Sequence, residues 1–181
     1  MKTENIKETF ELAFQNQKKN NFTLAEKLYK KILKKNPSHF RLVFLLGSLS
    51  LQTDNLKQAK QLFNKALTIN PNDVDTHNNL GLVFNKLEEY RKAQDHFQKA
   101  IEIQANYLPA HNNLGLIFKE MGEQKKAISC YQKALELKPN FIAAQTNISN
   151  IYTSRLNNLE KAINESYKTL KMYHEAAQFV D

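Results

Sequence analysis

A single cysteine, Cys130, in 181 residues excludes an internal disulfide and fits a reducing compartment. Four glycines and four prolines are too few for a loop-rich β-protein or a long disordered linker. The longest apolar run, Leu42 to Leu46, falls far short of the roughly 20 residues a membrane-spanning helix needs. Met1 to Phe10 carries charges throughout and no apolar core, unlike a secretory signal. A soluble, cytoplasmic protein is therefore expected. Equally absent are a phosphate-cradling glycine loop, a paired-histidine zinc motif and a nucleophile elbow. The sequence thus offers no catalytic set and no cofactor site, and no enzyme activity is expected.

What is there begins with charge. Lys and Arg number 26 against 18 Asp and Glu, a formal net charge of +8. Between Ile6 and His39 stand eight Lys and three Glu, so +5 of that excess lies in the first fifth of the chain. Lys27, Lys30, Lys31, Lys34 and Lys35 are spaced along one predicted helix and read as a solvated outer face. No RNA-binding aromatic motif accompanies them, so nucleic acid is not the expected partner.

The chain also repeats itself. His77-Asn78-Asn79-Leu80-Gly81-Leu82 returns 34 residues on as His111-Asn112-Asn113-Leu114-Gly115-Leu116. A fixed period of this size marks stacked helix–turn–helix units. Extending the register gives five, at residues 6–39, 40–73, 74–107, 108–141 and 142–176, in one array over residues 1–181. One column then reads Leu12, Leu46, Leu80, Leu114, Ile148, and the next Ala13, Gly47, Gly81, Gly115, Ser149. Glycine inside a helix costs about 1 kcal/mol against alanine, so its return predicts close contact between paired helices. Ala25, Ala59, Ala93 and Ala127 are followed at four residues by Tyr29, Phe63, Phe97 and Tyr131, and at four more by Leu33, Leu67, Ile101 and Leu135. That spacing puts all three columns on one helix face. Pro37, Pro71 and Pro139 close their units. Lys19-Asn20-Asn21, Thr53-Asp54-Asn55, Glu88-Glu89 and Gly122-Glu123 form the turns. The fifth unit carries one extra residue around Leu156-Asn157-Asn158, which moves its alanine to Ala162.

These columns resemble the tetratricopeptide repeat family, over nearly the whole chain. The resemblance implies an all-α, right-handed α-solenoid whose first helices line a concave groove, and a protein-interaction scaffold as its function. His77 and His111 hold equivalent places without acidic or cysteine partners at fixed spacing, and read as packing residues. Cys130, beside the aromatic Tyr131, reads as a structural thiol.

Asn79, Asn113 and Asn147 share one column, preceded by Asn78, Asn112 and Thr146. Asparagine is a mediocre helix former, and its amide offers both donor and acceptor, matching the main chain of an extended peptide. The column is similar to the asparagine ladder in the repeats of O-linked N-acetylglucosamine transferases. A groove binding a protein or peptide partner follows, anchored by these asparagines, with Asn85, Lys86, Lys119 and Asn150 adjusting preference. The carboxylate clamp of the family's co-chaperone members is missing: the matching places read Phe10, Phe14, Leu45, Asp75 and Asn79. Phe10, Phe14 and Phe44 instead suggest an apolar lining at the groove's N-terminal end, with burial under Met1–Asn5 or core packing as the alternative. Two other roles fit the repeats: the substrate-recruiting segment of a larger enzyme such as a protein O-glycosyltransferase, and an oligomeric structural adaptor. The adaptor reading draws on the C-terminal end, where Tyr167, Leu170, Met172 and Tyr173 crowd the last helix without a solvating helix after it, so that self-association through this end is expected.

Overall fold

A computed structural model describes residues 6–177. Its described residues form nine α-helices and no strand: α1 (Ile6–Lys18), α2 (Phe22–Lys35), α3 (Phe40–Gln52), α4 (Leu56–Ile69), α5 (Val74–Lys86), α6 (Tyr90–Ile103), α7 (Leu108–Glu120), α8 (Gln124–Leu137) and α9 (Ile142–Ala177). The first eight make four hairpins, and each hairpin packs its second helix on the first helix of the next. None of the described helices is long and apolar enough to cross a membrane.

The hairpin turns share one mechanism. Asn20, Asp54, Glu88 and Gly122, each 34 residues from the last, have φ of 62°, 58°, 58° and 78°. One residue later the amides of Asn21, Asn55, Glu89 and Glu123 donate back to the carbonyls of Asn16, Ser50, Phe84 and Phe118 at 2.8–2.9 Å. A left-handed residue followed by this long-reach bond satisfies the last carbonyls and turns the chain. Glycine, asparagine and aspartate tolerate that conformation best, and three of the four turns use one of them.

The small-residue column does what its spacing suggests. A Cβ on Gly81 would stand 2.5 Å from a carbon of the Phe97 ring, on Gly115 2.6 Å from Tyr131, and on Gly47 2.8 Å from Phe63. The second helices α4, α6 and α8 thus press an aromatic ring against the backbone of their partners, and all three rings are buried. Ala59, Ala93 and Ala127, also buried, let the helices approach. One continuous core of this kind runs from Ala59 to Ile151, with a second around Ala13, Tyr29 and Leu46.

The fifth unit departs from the expected pair. α9 is one helix of 36 residues that runs straight through Leu156, Asn157 and Asn158. Leu156 occupies the place of Gly122 in the register, and a leucine there keeps the helical conformation instead of the left-handed one. The solenoid therefore holds four helix–turn–helix repeats followed by a single long helix. The side chains of Leu170, Met172 and Tyr173 lie outside the described residues, as do Met1–Asn5.

Candidate functional site: the wall of first helices

α5 touches both α3 and α7, so these three first helices form one wall, with α1 before it and α9 after it in the array. Its polarity changes along the array. At the N-terminal end Phe10 stacks on Phe14 with centroids 6.5 Å apart and meets Tyr29 at 6.0 Å, while Phe44 meets Phe63 at 5.9 Å. Phe10 and Phe44 pack against the two cores, so these rings serve largely as core packing. The cations of Lys18 and Arg41 lie over the Phe14 and Phe10 rings at 4.5 and 5.3 Å, which covers the lining with charge.

From α5 onward the wall carries amides. Asn79, Asn113 and Asn147 are half-buried on α5, α7 and α9. The Asn113 Nδ2 donates to Asn78 Oδ1 at 3.0 Å across the two helices. Asn78 is buried and its oxygen accepts this bond, so it ties α5 to α7. The same 35-residue relation recurs for Asn112 and Asn147, yet Asn112 Oδ1 is buried without a hydrogen-bond partner. Asn112 Nδ2 reaches only to Asn113 Oδ1, at 3.5 Å. The side chains of Asn79 and Asn147 make no hydrogen bond to a described residue, which leaves both ends of each amide available. Asn85 is half-buried and Asn150 exposed. Lys86 is held by Asp54 at 2.8 Å and Lys119 stands 3.5 Å from Glu120, both exposed pairs of small energetic worth.

Two residues of this wall escaped the sequence reading. Leu82 and Leu116, both half-buried, follow Asn79 and Asn113 by three residues and share their helix face, adding apolar contact between the amides. The second miss is a link from the N-cap of α7 to the start of α5: Tyr107 donates to Asp75 Oδ1 at 2.6 Å, and burial followed by that bond pushes the phenol far above its ordinary value.

The histidines are latches. His77 Nε2 donates to the Pro71 carbonyl at 3.0 Å and His111 Nε2 to that of Ala105 at 2.8 Å, and the Gln145 amide does the same to Pro139 at 3.0 Å. In each case a first helix is pinned to the loop six residues before it. With its Nε2 so engaged, His77 offers Nδ1 as acceptor to His96 Nδ1–H at 3.2 Å. Burial, with His77 beside it, lowers the His96 pKa, against the opposing pull of Asp95. Burial also raises the Cys130 thiol to about 11, which keeps it protonated and unreactive at neutral pH. Among the described residues no cluster of three metal-ligating side chains occurs.

Known proteins agree with this architecture. The tetratricopeptide repeat profile matches residues 42–106 and again 72–140. Two crystal structures of MamA are 27% and 26% identical, with TM-scores of 0.73 and 0.74; the alignments cover 88% and 92% of this chain and 96% and 94% of theirs. YrrB, described as a TPR protein with an unusual peptide-binding site, is 25% identical with a TM-score of 0.68, over 86% of this chain and 80% of its own. No match was found among curated proteins. With the repeat profile spanning more than half of its residues, the chain belongs to the tetratricopeptide repeat family.

Proposed function

We propose that this protein is a non-catalytic interaction scaffold that holds an extended peptide segment along its wall of first helices. The observation that carries the reading is the pair of unengaged amides, Asn79 and Asn147, placed either side of Asn113 on successive first helices. Each can accept from a peptide N–H and donate to a peptide C=O, which grips a backbone without reading its side chains. Asn113 gives one amide hydrogen to Asn78, and its oxygen, approached only by Asn112 at 3.5 Å, keeps a second lone pair for the ligand. Leu82 and Leu116 supply apolar contact between the amides. Asn85, Lys86, Lys119 and Asn150 adjust preference at the rim. The peptide site of YrrB supports a peptide as the ligand class. A scaffold of this kind needs neither cofactor nor catalytic group.

The test is a fluorescence-anisotropy screen of a random extended-peptide library, repeated with Asn79→Ala, Asn113→Ala and Asn147→Ala combined. Three hydrogen bonds at about 0.5–1.5 kcal/mol each put the expected loss of binding at about 1.5–4.5 kcal/mol if the effects add. Asn79→Ala and Asn147→Ala should leave the melting temperature unchanged, since alanine is the better helix former, whereas Asn113→Ala also unpairs the buried Asn78 oxygen and should cost about 1–3 kcal/mol of stability without unfolding the chain. Unchanged peptide binding, or an unfolded triple variant, would sink the proposal.

A further inference from the structure

α9 leaves uncovered a face that every other first helix hides. Phe84 and Phe118 are 7% and 6% exposed, whereas Tyr152, their equivalent in α9, is 52% exposed. Leu156, Leu159, Ile163 and Tyr167 continue the stripe at 66%, 59%, 59% and 71%. Successive members fall three or four residues apart, so they line one side of the helix. A depression beside them is lined by Gln124 at the start of α8 together with Tyr152, Leu156 and Leu159. In the four closed units the first helix is covered by the unit's own second helix. A continuous α9 cannot bend back over itself to do so.

The spacing of the stripe names the occupant. Ile148, Tyr152, Leu156, Leu159, Ile163 and Tyr167 are all apolar or aromatic, and their positions are spaced symmetrically about a point midway between Asn157 and Asn158. Laid antiparallel on a copy of itself about that point, the helix sets Ile148 against Tyr167, Tyr152 against Ile163 and Leu156 against Leu159. The closed units supply the same register independently. There the small residue of the first helix meets the ring 16 residues on, as Gly81 meets Phe97 and Gly115 meets Tyr131. With the one extra residue of the fifth unit, Ser149 is matched to Ser166, which has the same midpoint. A seam that is its own complement about a two-fold axis is what an isologous dimer requires.

We propose that two copies of this chain pair through α9 by exchange, the second half of each α9 serving as the missing second helix of the other's fifth unit. The seam from Ile148 to Tyr167 is about 29 Å long at 1.5 Å per residue. Exchange makes the contacts that a closed hairpin would make, with the turn at Leu156–Asn158 straightened into helix. The result is a two-fold scaffold carrying two peptide walls, and it stands whether or not those walls bind peptide.

Disulfide trapping on the full chain tests the register directly. In a Cys130→Ser background, Tyr152→Cys and Ile163→Cys are combined and oxidised. The two positions lie eleven residues, about 16 Å, apart along one helix, too far to bridge within it. The expected product is a covalent dimer on a non-reducing gel, while Tyr152→Cys alone gives little. A covalently closed monomer would show that α9 folds back on itself and would overturn the exchange. An unlinked monomer would do the same. In parallel, light scattering across concentration should find a dimer for the unaltered chain. Leu156→Asp with Leu159→Asp should weaken it at least a hundredfold with helicity retained by circular dichroism; a dimer undisturbed by both aspartates would overturn the proposal.

Discussion

The fourth and fifth units begin alike and end differently. Both open with a first helix latched to the loop before it, through His111 in one and Gln145 in the other. Both carry a half-buried asparagine at the same place, Asn113 and Asn147. Yet the fourth turns at Gly122, where φ is 78°, and lays Tyr131 on Gly115, whereas the fifth meets Leu156 and continues as helix. The amide links differ as well. The amide link Asn78–Asn113 forms between units three and four, while its repeat, Asn112–Asn147, does not form, and Asn112 Oδ1 stays buried without a partner. One residue at a turn thus separates a unit whose first-helix face is covered from one whose face is open.

The contrast is broken most strongly at the helix contact. Gly81→Val places a Cβ within 2.5 Å of the Phe97 ring and should cost about 1–3 kcal/mol in thermal or denaturant melts. Ser149→Val, at the equivalent place on α9, is exposed and should change stability by less than about 0.5 kcal/mol in dilute, monomeric protein. Equal costs at the two sites would erase the distinction between closed and open units.

The turn gives the next effect. Gly122→Ala meets no atom within 4 Å, so any loss reports the left-handed backbone alone, about 1–2 kcal/mol. Glu88→Gly, at a non-glycine residue with φ of 58°, should shift stability the other way by up to a similar amount. Loss of stability in Glu88→Gly would show that the Glu88 side chain matters more than its backbone.

Within the closed units, Tyr131 differs from Phe63 and Phe97 by a hydroxyl that is buried without a hydrogen-bond partner, and its pKa is raised to about 12 by burial. Tyr131→Phe should raise stability by about 1 kcal/mol, the lower end of the cost of an unsatisfied buried group. A destabilised variant would reveal a partner for the hydroxyl.

The smallest effect is a pH dependence. The folded chain holds the His96 pKa below its ordinary 6.5 through burial and the neighbouring His77, with Phe84 stacked on its ring at 5.3 Å. The unfolded chain therefore binds the proton more readily. The stability contributed by neutral His96 is complete above pH about 6.5 and is lost as pH falls through the folded value. His96→Leu, which restores the leucine found at Leu28 and Leu62, should flatten the decline in melting temperature on acidification. An unaltered slope would assign it to other groups.

Much of this was legible in the residues. The 34-residue return of leucine, small residue, alanine and aromatic is a local, repeated pattern. Helix periodicity converts it directly into faces, and close-packed faces into pairs. The turns were legible as polar segments, and the fifth was expected around Leu156-Asn157-Asn158 with one extra residue, but the left-handed position within each turn, and its loss at Leu156, emerged only from the backbone. The chemistry of the wall was less legible. Asn78 and Asn79 are identical neighbours in sequence, and a step of about 100° around the helix axis buries one against Asn113 and leaves the other unengaged.

By itself, then, the sequence determined the period, the helices and the residues that bring them together, because these follow from side-chain volume and from the 3.6-residue turn. Only the tertiary structure decided which amides are occupied and where the last hairpin fails. Both depend on what a neighbouring helix presents at a distance of a few ångströms: Asn113 crosses to Asn78, and no described helix folds back on Tyr152.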